Sequence, residues 1–276
     1  MLRKCLGLVQ TMSNRPVVSV VVPTKNSEST IDKCLKSIRE QTYPDIEIIV
    51  VDNYSSDKTR EIAQKYGKVL LKGPERSSQR NFGAQFACGD YLFFIDSDME
   101  LTSNVVDDCI KAAVCSHANA VVVPEISVGE GFWTKCKALE RSCYVGDDTI
   151  EAARFFGKDA FLSVGRFDEE ITGLEDWDLH VRVCKAGFKI VRINSFIQHH
   201  EGRLSLRKTM IKRRNYGKKT LKTYRRKHPK EASVQLTLIR PAFIRNWRKL
   251  AKDPSHASGM FFMKVCELGA GWIGSL

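Results

Sequence analysis

Residues 89–99 read Gly89-Asp90-Tyr91-Leu92-Phe93-Phe94-Ile95-Asp96-Ser97-Asp98-Met99. Five apolar residues in a row, from Tyr91 to Ile95, ended abruptly by two carboxylates, are the pattern of a strand buried on both faces that runs straight into a polar turn. Working outward, the same pattern recurs. Val17 to Val22 ends in Pro23-Thr24-Lys25-Asn26, Ile46 to Val51 ends in Asp52-Asn53, and Val69 to Leu71 makes a shorter run. Between the runs lie segments of helical period. Residues 27–41 put Ile31, Leu35 and Ile38 on one face, and Ser55 and Ser56 stand where they would cap a helix carrying Ile62, Ala63 and Tyr66 that Gly67 ends. A further helix runs through Asn81 and Phe86 to near Gly89.

After the Asp96-Ser97-Asp98 turn the alternation continues. A helix carries Val105, Val106, Cys109, Ile110 and Ala113, and a strand follows around Ala120 to Val123. Residues 125–150 give no clear period. Arg154 to Phe156 reads as extended, Asp159 to Val164 as helical, Glu175 to Lys185 as a helix stopped by Gly187, and Phe188 to Ile193 as a strand. Strands alternating with helices predict an α/β domain with a mainly parallel sheet. In such sheets ligands bind beyond the carboxyl ends of the strands, which is where Thr24, Asp52 and Asp96 to Asp98 fall.

The composition, 43% hydrophobic and 28% charged over 276 residues, is that of a globular protein and excludes a disordered chain. Nine cysteines, odd in number and without a C-x-x-C pair, predict reduced thiols in a cytosolic compartment and neither a disulfide framework nor a zinc site. The apolar run Cys5 to Val9 is too short for a secretory signal, so residues 1–15 are expected to be a simple extension.

Asp96 and Asp98 on one turn offer two hard oxygen donors, the set that Mg²⁺ or Mn²⁺ takes alongside substrate phosphates. No Walker loop and no G-x-G-x-x-G occurs. A divalent cation could do the work of such a loop by neutralising a diphosphate leaving group. Other polar positions also admit structural readings. Pro23 and Asn26 suit a turn, Asp52 a helix cap, Arg80 a surface ion pair, and Glu175-Asp176-Trp177-Asp178 an acidic first helical turn.

Five stretches in order, VVSVVVPTKNSESTIDKCLKSI (17–38), EIIVVDNYSSDKT (47–59), SSQRNFGAQFACGDYLFFIDSDM (77–99), RFFGKDAFLSVGRFDE (154–169) and GLEDWDLHVRVCKAGFKI (173–190), resemble the family 2 glycosyltransferases. The resemblance implies a GT-A fold, a Rossmann-like mixed sheet flanked by helices, over residues 16–202. It also implies an inverting, metal-dependent transfer of a sugar from a nucleotide diphosphate, UDP- or GDP-linked, to an acceptor hydroxyl. By the family pattern, Pro23, Thr24, Asn26, Asp52, Arg80, Asn81, Asp96 and Ser97 line the nucleotide-sugar pocket. Asp98 binds Mn²⁺ or Mg²⁺, Asp96 binds the ribose or a metal-bound water, and a histidine, His199 in preference to His200, adds a third metal ligand. Asp176 is the catalytic base, with Glu175 beside it. No Q-x-x-R-W motif follows, so the resemblance implies single-sugar transfer and not polymerisation.

Residues 203–276 differ in kind. The segment 203–252 holds 18 lysines and arginines against one acid, Glu231, a net +17 that leaves the rest of the chain at −5. Leu204, Leu206, Met210, Ile211, Tyr216, Leu221 and Tyr224 recur at helical spacing within it, so one face is expected to pack. Phe261, Val265, Leu268, Trp272 and Leu276 form an apolar stripe on a last amphipathic helix, within which Lys264 and Glu267 argue against a membrane span. This basic helical extension is expected to rest on an anionic membrane at its cytoplasmic face and bring the active site to a lipid-linked or glycan acceptor. Nucleic-acid binding would also use a basic stripe with tyrosines, but it leaves the motifs of residues 17–200 without a purpose. A nucleotidyltransferase would carry a glycine- and arginine-rich loop where this chain has PTKNSEST (23–30).

Overall fold

A computed structural model describes residues 15–275. The expected extension at 1–15, the question of a leader, and the end of the apolar stripe at Leu276 therefore lie outside the described residues, apart from Arg15. The elements in order are β1 (Val18–Thr24), α1 (Ile31–Arg39), β2 (Ile46–Asp52), α2 (Thr59–Ala63), β3 (Lys68–Leu71), α3 (Arg76–Gln85), β4 (Tyr91–Phe94), β5 (Met99–Leu101), α4 (Val105–Ser116) and β6 (Ala120–Val122). There follow β7 (Glu125–Gly129), α5 (Phe132–Tyr144), β8 (Phe155–Gly157), α6 (Lys158–Ser163), α7 (Glu175–Lys185), β9 (Ile190–Arg192) and β10 (Ile197–Gly202). The basic region is helical: α8 (Leu206–Tyr216), a π turn at Gly217–Leu221, α9 (Lys222–Lys227), α10 (Pro229–Gln235), α11 (Pro241–Arg245), α12 (Trp247–Lys252) and α13 (Pro254–Ser275).

Compactness divides the chain elsewhere than at residue 202. One unit comprises residues up to Pro124 with Ala153–Phe167 and Arg182–Gln198; the other comprises Glu125–Ala152, Asp168–Val181 and His199 onward. The stretch without a readable period, 125–150, thus belongs with the basic helices.

The first unit is built on a seven-stranded sheet of order β3-β2-β1-β4-β8-β6-β9. β1 pairs in parallel with β2, Val18 opposite Ile46 through Thr24 opposite Asp52, and on its other edge with β4, Val18 opposite Tyr91. The chain therefore turns to opposite sides of β1, and this reversal of strand order opens a crevice at the carboxyl ends. β8 runs antiparallel between β4 and β6, which makes the sheet mixed. Every residue of β1 is buried, as a strand covered on both faces requires. α1 lays Ile31, Leu35 and Ile38 on the core.

One capping expectation fails. Helix α2 starts at Thr59 without a side-chain cap, because the Ser55 hydroxyl is spent on Asp52 at 2.5 Å instead.

In the second unit β7 and β10 lie side by side, with Glu130 N donating to Gly202 O and Ser127 Oγ to Glu201. α5 and α13 share an apolar cluster of Cys136, Cys143, Tyr144, Met260 and Met263, joined by Ala242 and Phe243 of α11. The basic helix α8 has no buried residue, and its Met210 and Ile211 are exposed, so the packed face expected of the basic run reduces to Tyr224 on α9 and half-buried neighbours.

Candidate functional site

In the first unit the polar residues at the strand ends hold one another in a ring. Register puts Thr24 level with Asp52, and Gln79 from α3 clamps the two strand ends by donating to Thr24 O at 3.1 Å and Val51 O at 2.6 Å. Asp52 is fully buried, its carboxylate taken by the Ser55 amide at 2.8 Å and the Ser55 hydroxyl. Arg60 Nε lies 3.9 Å away. Asn26 stands at φ +48°, a left-handed conformation that asparagine tolerates better than most residues, and its Oδ1 accepts from the Ser56 amide at 2.9 Å. Ser27 and Ser97 meet through their hydroxyls at 2.9 Å, tying the loop after β1 to the Asp96-Ser97-Asp98 turn. Among the described residues the buried Thr24 hydroxyl has no hydrogen-bond partner. A buried hydroxyl left so is costly, and a ligand in the crevice would remove the cost.

Arg80 is the largest fully buried side chain of the unit. It reaches Asp96 with Nη2 to Oδ1 at 2.6 Å and packs over the Phe167 ring. Arg154 Nη1 stands 3.8 Å from the other oxygen of Asp96. The burial of Arg80 follows from Gly83 one turn on: a Cβ there would meet Val21 Cγ1 at 2.5 Å, so only glycine lets α3 lie this close to the sheet. Asn81 secures the far side, exchanging hydrogen bonds with the Phe167 backbone at 2.9 and 3.0 Å. Beneath the turn, burial pushes the Cys34 thiol well up, and the negative charges of Asp98 and Asp96 push it the same way.

The donor set fits a divalent cation in a particular sense. Among the described residues no three His, Cys, Asp or Glu side chains converge to grip an ion alone. Mg²⁺ and Mn²⁺ sites completed by substrate phosphates and water need only one or two carboxylates. Asp96 and Asp98 on this turn are the carboxylates that the sequence reading offers to such an ion, and Asp96 also pairs with Arg80.

The second unit carries Glu175, Asp176 and His199. Glu175 and Asp176 open α7, where the helix dipole favours negative charge. Glu175 is buried and accepts from the Gly173 amide. Trp177 is an anchor: its indole donates to Ile150 O at 2.7 Å, and Arg240 lies over its ring. Asp178, fully buried, pairs with His228 at 2.8 Å, and Tyr224 packs on that histidine. His199 sits in an ion-pair network, its Nδ1 2.9 Å from Arg141 Nη1, with Arg141 also pairing Glu125 and Glu201. The same Nδ1 lies 3.4 Å from Glu125 Oε2, so the ring nitrogen sits between a cationic and an anionic partner.

Sequence reading missed Gln79, His228 and the Glu125–Arg141 pair. Gln79 lies inside the motif stretch that named Arg80, and its helical neighbours were the signal. His228 and Arg141 are distant in sequence from their partners and carry none.

A family model described as glycosyl transferase family 2 matches residues 19–171. The chain is 30% identical over 181 residues to a GalNAc(5)-diNAcBac-PP-undecaprenol beta-1,3-glucosyltransferase of Campylobacter jejuni, covering 58% of this chain and 57% of that protein. It is 38% identical over 150 residues to the glycosyltransferase EpsJ of Bacillus subtilis, covering 52% and 41%. The chain thus spans about half the length of these curated relatives. Among solved structures, the mannosyltransferase PcManGT from Pyrobaculum calidifontis, in complex with GDP-Man and Mn²⁺, superposes with a TM-score of 0.67 at 16% identity, over 99% of this chain and 93% of that one. Staphylococcus aureus TarS in complex with UDP-GlcNAc gives 0.54 at 16% identity, over 94% and 90%. These likenesses establish the fold as GT-A.

Proposed function

The chain belongs to glycosyl transferase family 2, and from that premise we propose that it transfers a single sugar, with inversion, from a nucleotide diphosphate to the hydroxyl of a lipid-linked acceptor. The observation that carries this reading is the strand-end turn of the first unit. There Arg80 pairs with Asp96, two residues before Asp98, and at the end of β1 a buried Thr24 hydroxyl has no hydrogen-bond partner among the described residues.

Each residue then has a task. Thr24, Asn26 and Asp52, shaped by Pro23, receive base and ribose, Asp96 and Ser97 the ribose, and Arg80 and Asn81 hold the turn against α3. Asp98 would hold Mn²⁺ or Mg²⁺, which when bound supplies Lewis-acid stabilisation of the leaving diphosphate. His199 is the third ligand the family pattern expects, and His200, on the opposite face of β10, is the alternative. Asp176 takes the proton from the acceptor hydroxyl, and Glu175, locked on the Gly173 amide, fixes the start of α7. General base catalysis contributes about 10²–10⁴-fold, and alignment of two substrates roughly 7–11 kcal/mol.

A lipid-linked acceptor is favoured by the likeness to the Campylobacter GalNAc(5)-diNAcBac-PP-undecaprenol beta-1,3-glucosyltransferase. No helix among the described residues is long and apolar enough to cross a membrane; from the charge of the basic helices of 203–276 we assign the chain a peripheral place on the cytoplasmic face, with those helices toward anionic lipid. The deciding experiment is a thermal-shift screen of nucleoside diphosphates with and without Mn²⁺, paired with a transfer assay. A ligand at a hundred times its Kd stabilises by about 2.7 kcal/mol. UDP or GDP should shift the wild type in a manganese-dependent way and leave Asp98→Ala unmoved; equal shifts in both overturn the assignment.

A further inference from the structure

Helix α13 is packed inside out. At 100° per residue, its buried positions Met260, Met263, Lys264, Glu267, Gly271 and Gly274 fall on one side. On the opposite stripe, Phe262 is 56% exposed, Val265 53%, Trp272 58% and Ile273 55%. Of the stripe expected from sequence, Val265 and Trp272 stand in the open, and Phe261 and Leu268 are half-buried along its edge.

The inversion has a structural cause. Lys264 is held by Glu140 at 2.7 Å, Lys137 joins Glu140 at 2.8 Å and Glu267 at 3.4 Å, and Arg213 adds to Glu267 at 3.7 Å. The inward side thus carries an ion-pair network beside the apolar contacts of Met260 and Met263. Glycines let the backbones close around it: a Cβ on Gly274 would run into the Arg214 carbonyl, and one on Gly217 into that of Gly271. Val265, Trp272 and Ile273 are left more than half exposed, with Phe262 exposed but stacked on Trp133, and an exposed apolar stripe of this kind marks an interaction surface.

The charge beside the stripe selects its occupant. Because Gly274 abuts Arg214, the cationic helix α8, with Arg207, Lys208, Lys212 and Arg214 exposed, runs next to Trp272 and Ile273. A second copy of the chain would bring this +17 segment against its equal, whereas an anionic bilayer complements both features. We propose that α13 lies flat on an anionic membrane, with Phe262, Val265, Trp272 and Ile273 seated at headgroup level and the α8 cations on lipid phosphate. The proposal rests on the reading of a lipid-borne acceptor and names the face that would reach it.

The test is flotation of the full chain with vesicles of phosphatidylcholine and phosphatidylglycerol, alongside donor hydrolysis in their absence. The wild type should float, and float less on phosphatidylcholine alone. The double variant Val265→Glu/Trp272→Glu, at exposed positions, should bind roughly tenfold or more weakly with unchanged helicity and donor hydrolysis, while Lys208→Glu/Lys212→Glu should remove the salt dependence. Flotation of the Val265→Glu/Trp272→Glu variant equal to wild type overturns the assigned face while membrane binding stands. A wild type that stays in solution, or that sediments as a dimer broken by the same variant, overturns the proposal; donor hydrolysis retained in that case leaves the glycosyltransferase reading intact.

Discussion

In the first unit all seven residues of β1 are buried and only Ser19 and Thr24 among them are polar, whereas in the second the longest helix buries Lys264 and Glu267 and leaves Trp272 outside. The first spends its apolar residues on a sheet core and saves its carboxylates for the strand ends. The second also has an apolar cluster but buries an ion-pair network beside it and leaves apolar side chains of its longest helix exposed. The difference teaches where chemistry and where attachment are to be sought. Carboxylates gathered at the edge of an apolar sheet face the ligand crevice, while one inside a buried ion-pair network such as Glu140 serves the fold.

The largest test of that contrast is catalytic. Asp98→Ala in the first unit should lower transfer by about 10³-fold or more, the scale of several kcal/mol of lost Lewis-acid stabilisation, with the melting temperature little changed. Asp176→Asn in the second should lower kcat by about 10²–10⁴-fold yet keep the manganese-dependent thermal shift with nucleotide that Asp98→Ala loses. Steady-state kinetics with that shift separate donor binding from base catalysis; an Asp176→Asn variant that also loses the shift would break the division of labour.

Next comes stability. Glu140→Ala would strand Lys137 and Lys264 without their shared anion, and removing one partner of a buried pair costs about 3–5 kcal/mol. Urea unfolding should register that loss, and Glu140→Leu with Lys264→Met should recover much of it, because an apolar pair of similar volume needs no compensation. Asp98→Ala should show neither effect.

The same network predicts acid sensitivity. Burial alone would raise the Glu140 carboxyl, but Lys137 and Lys264 outweigh it and hold the group well below its ordinary 4.5; Glu267 is lowered likewise, by Lys137 and Arg213 against burial. A carboxylate whose folded pKa is depressed contributes stability that is full above the unfolded value and disappears as pH falls toward the folded one. Unfolding free energy should therefore drop on acidification below about pH 4.5, and more shallowly in the Glu140→Leu/Lys264→Met variant. Equal slopes would remove the network from the account.

These differences also explain what was legible beforehand. β1, β2 and β4 announce themselves because both faces are covered and apolar runs result; helix α7 was readable to its ends from its acidic first turn and the Gly187 stop. α5 was not, since its inward side carries Thr134, Cys136, Glu140 and Cys143, and a glutamate paired with Lys137 on its own helix and with Lys264, 124 residues away, erases the apolar period. α13 showed a period, but burial runs along the other side of it. The residues of the strand-end turn were named by motif, whereas Gln79, which pins β1 to β2, has no pattern beyond its place beside Arg80.

The smallest effect is expected at Asn26, where two readings were open, turn residue and nucleotide contact. Its left-handed φ and the bond from the Ser56 amide make it a turn residue whatever else it does. Asn26→Gly keeps the backbone angle without strain and loses one partly exposed hydrogen bond, which is worth about 0.5–1.5 kcal/mol; Asn26→Ala adds the cost of a left-handed alanine, roughly 1–2 kcal/mol. If turn chemistry is its only task, the glycine variant should leave the donor KM within about twofold while alanine raises it by loosening the loop after β1. A KM that rises equally in both would overturn the backbone-angle account and assign the effect to the carboxamide, whose loss, with its bond from Ser56, is common to the two variants.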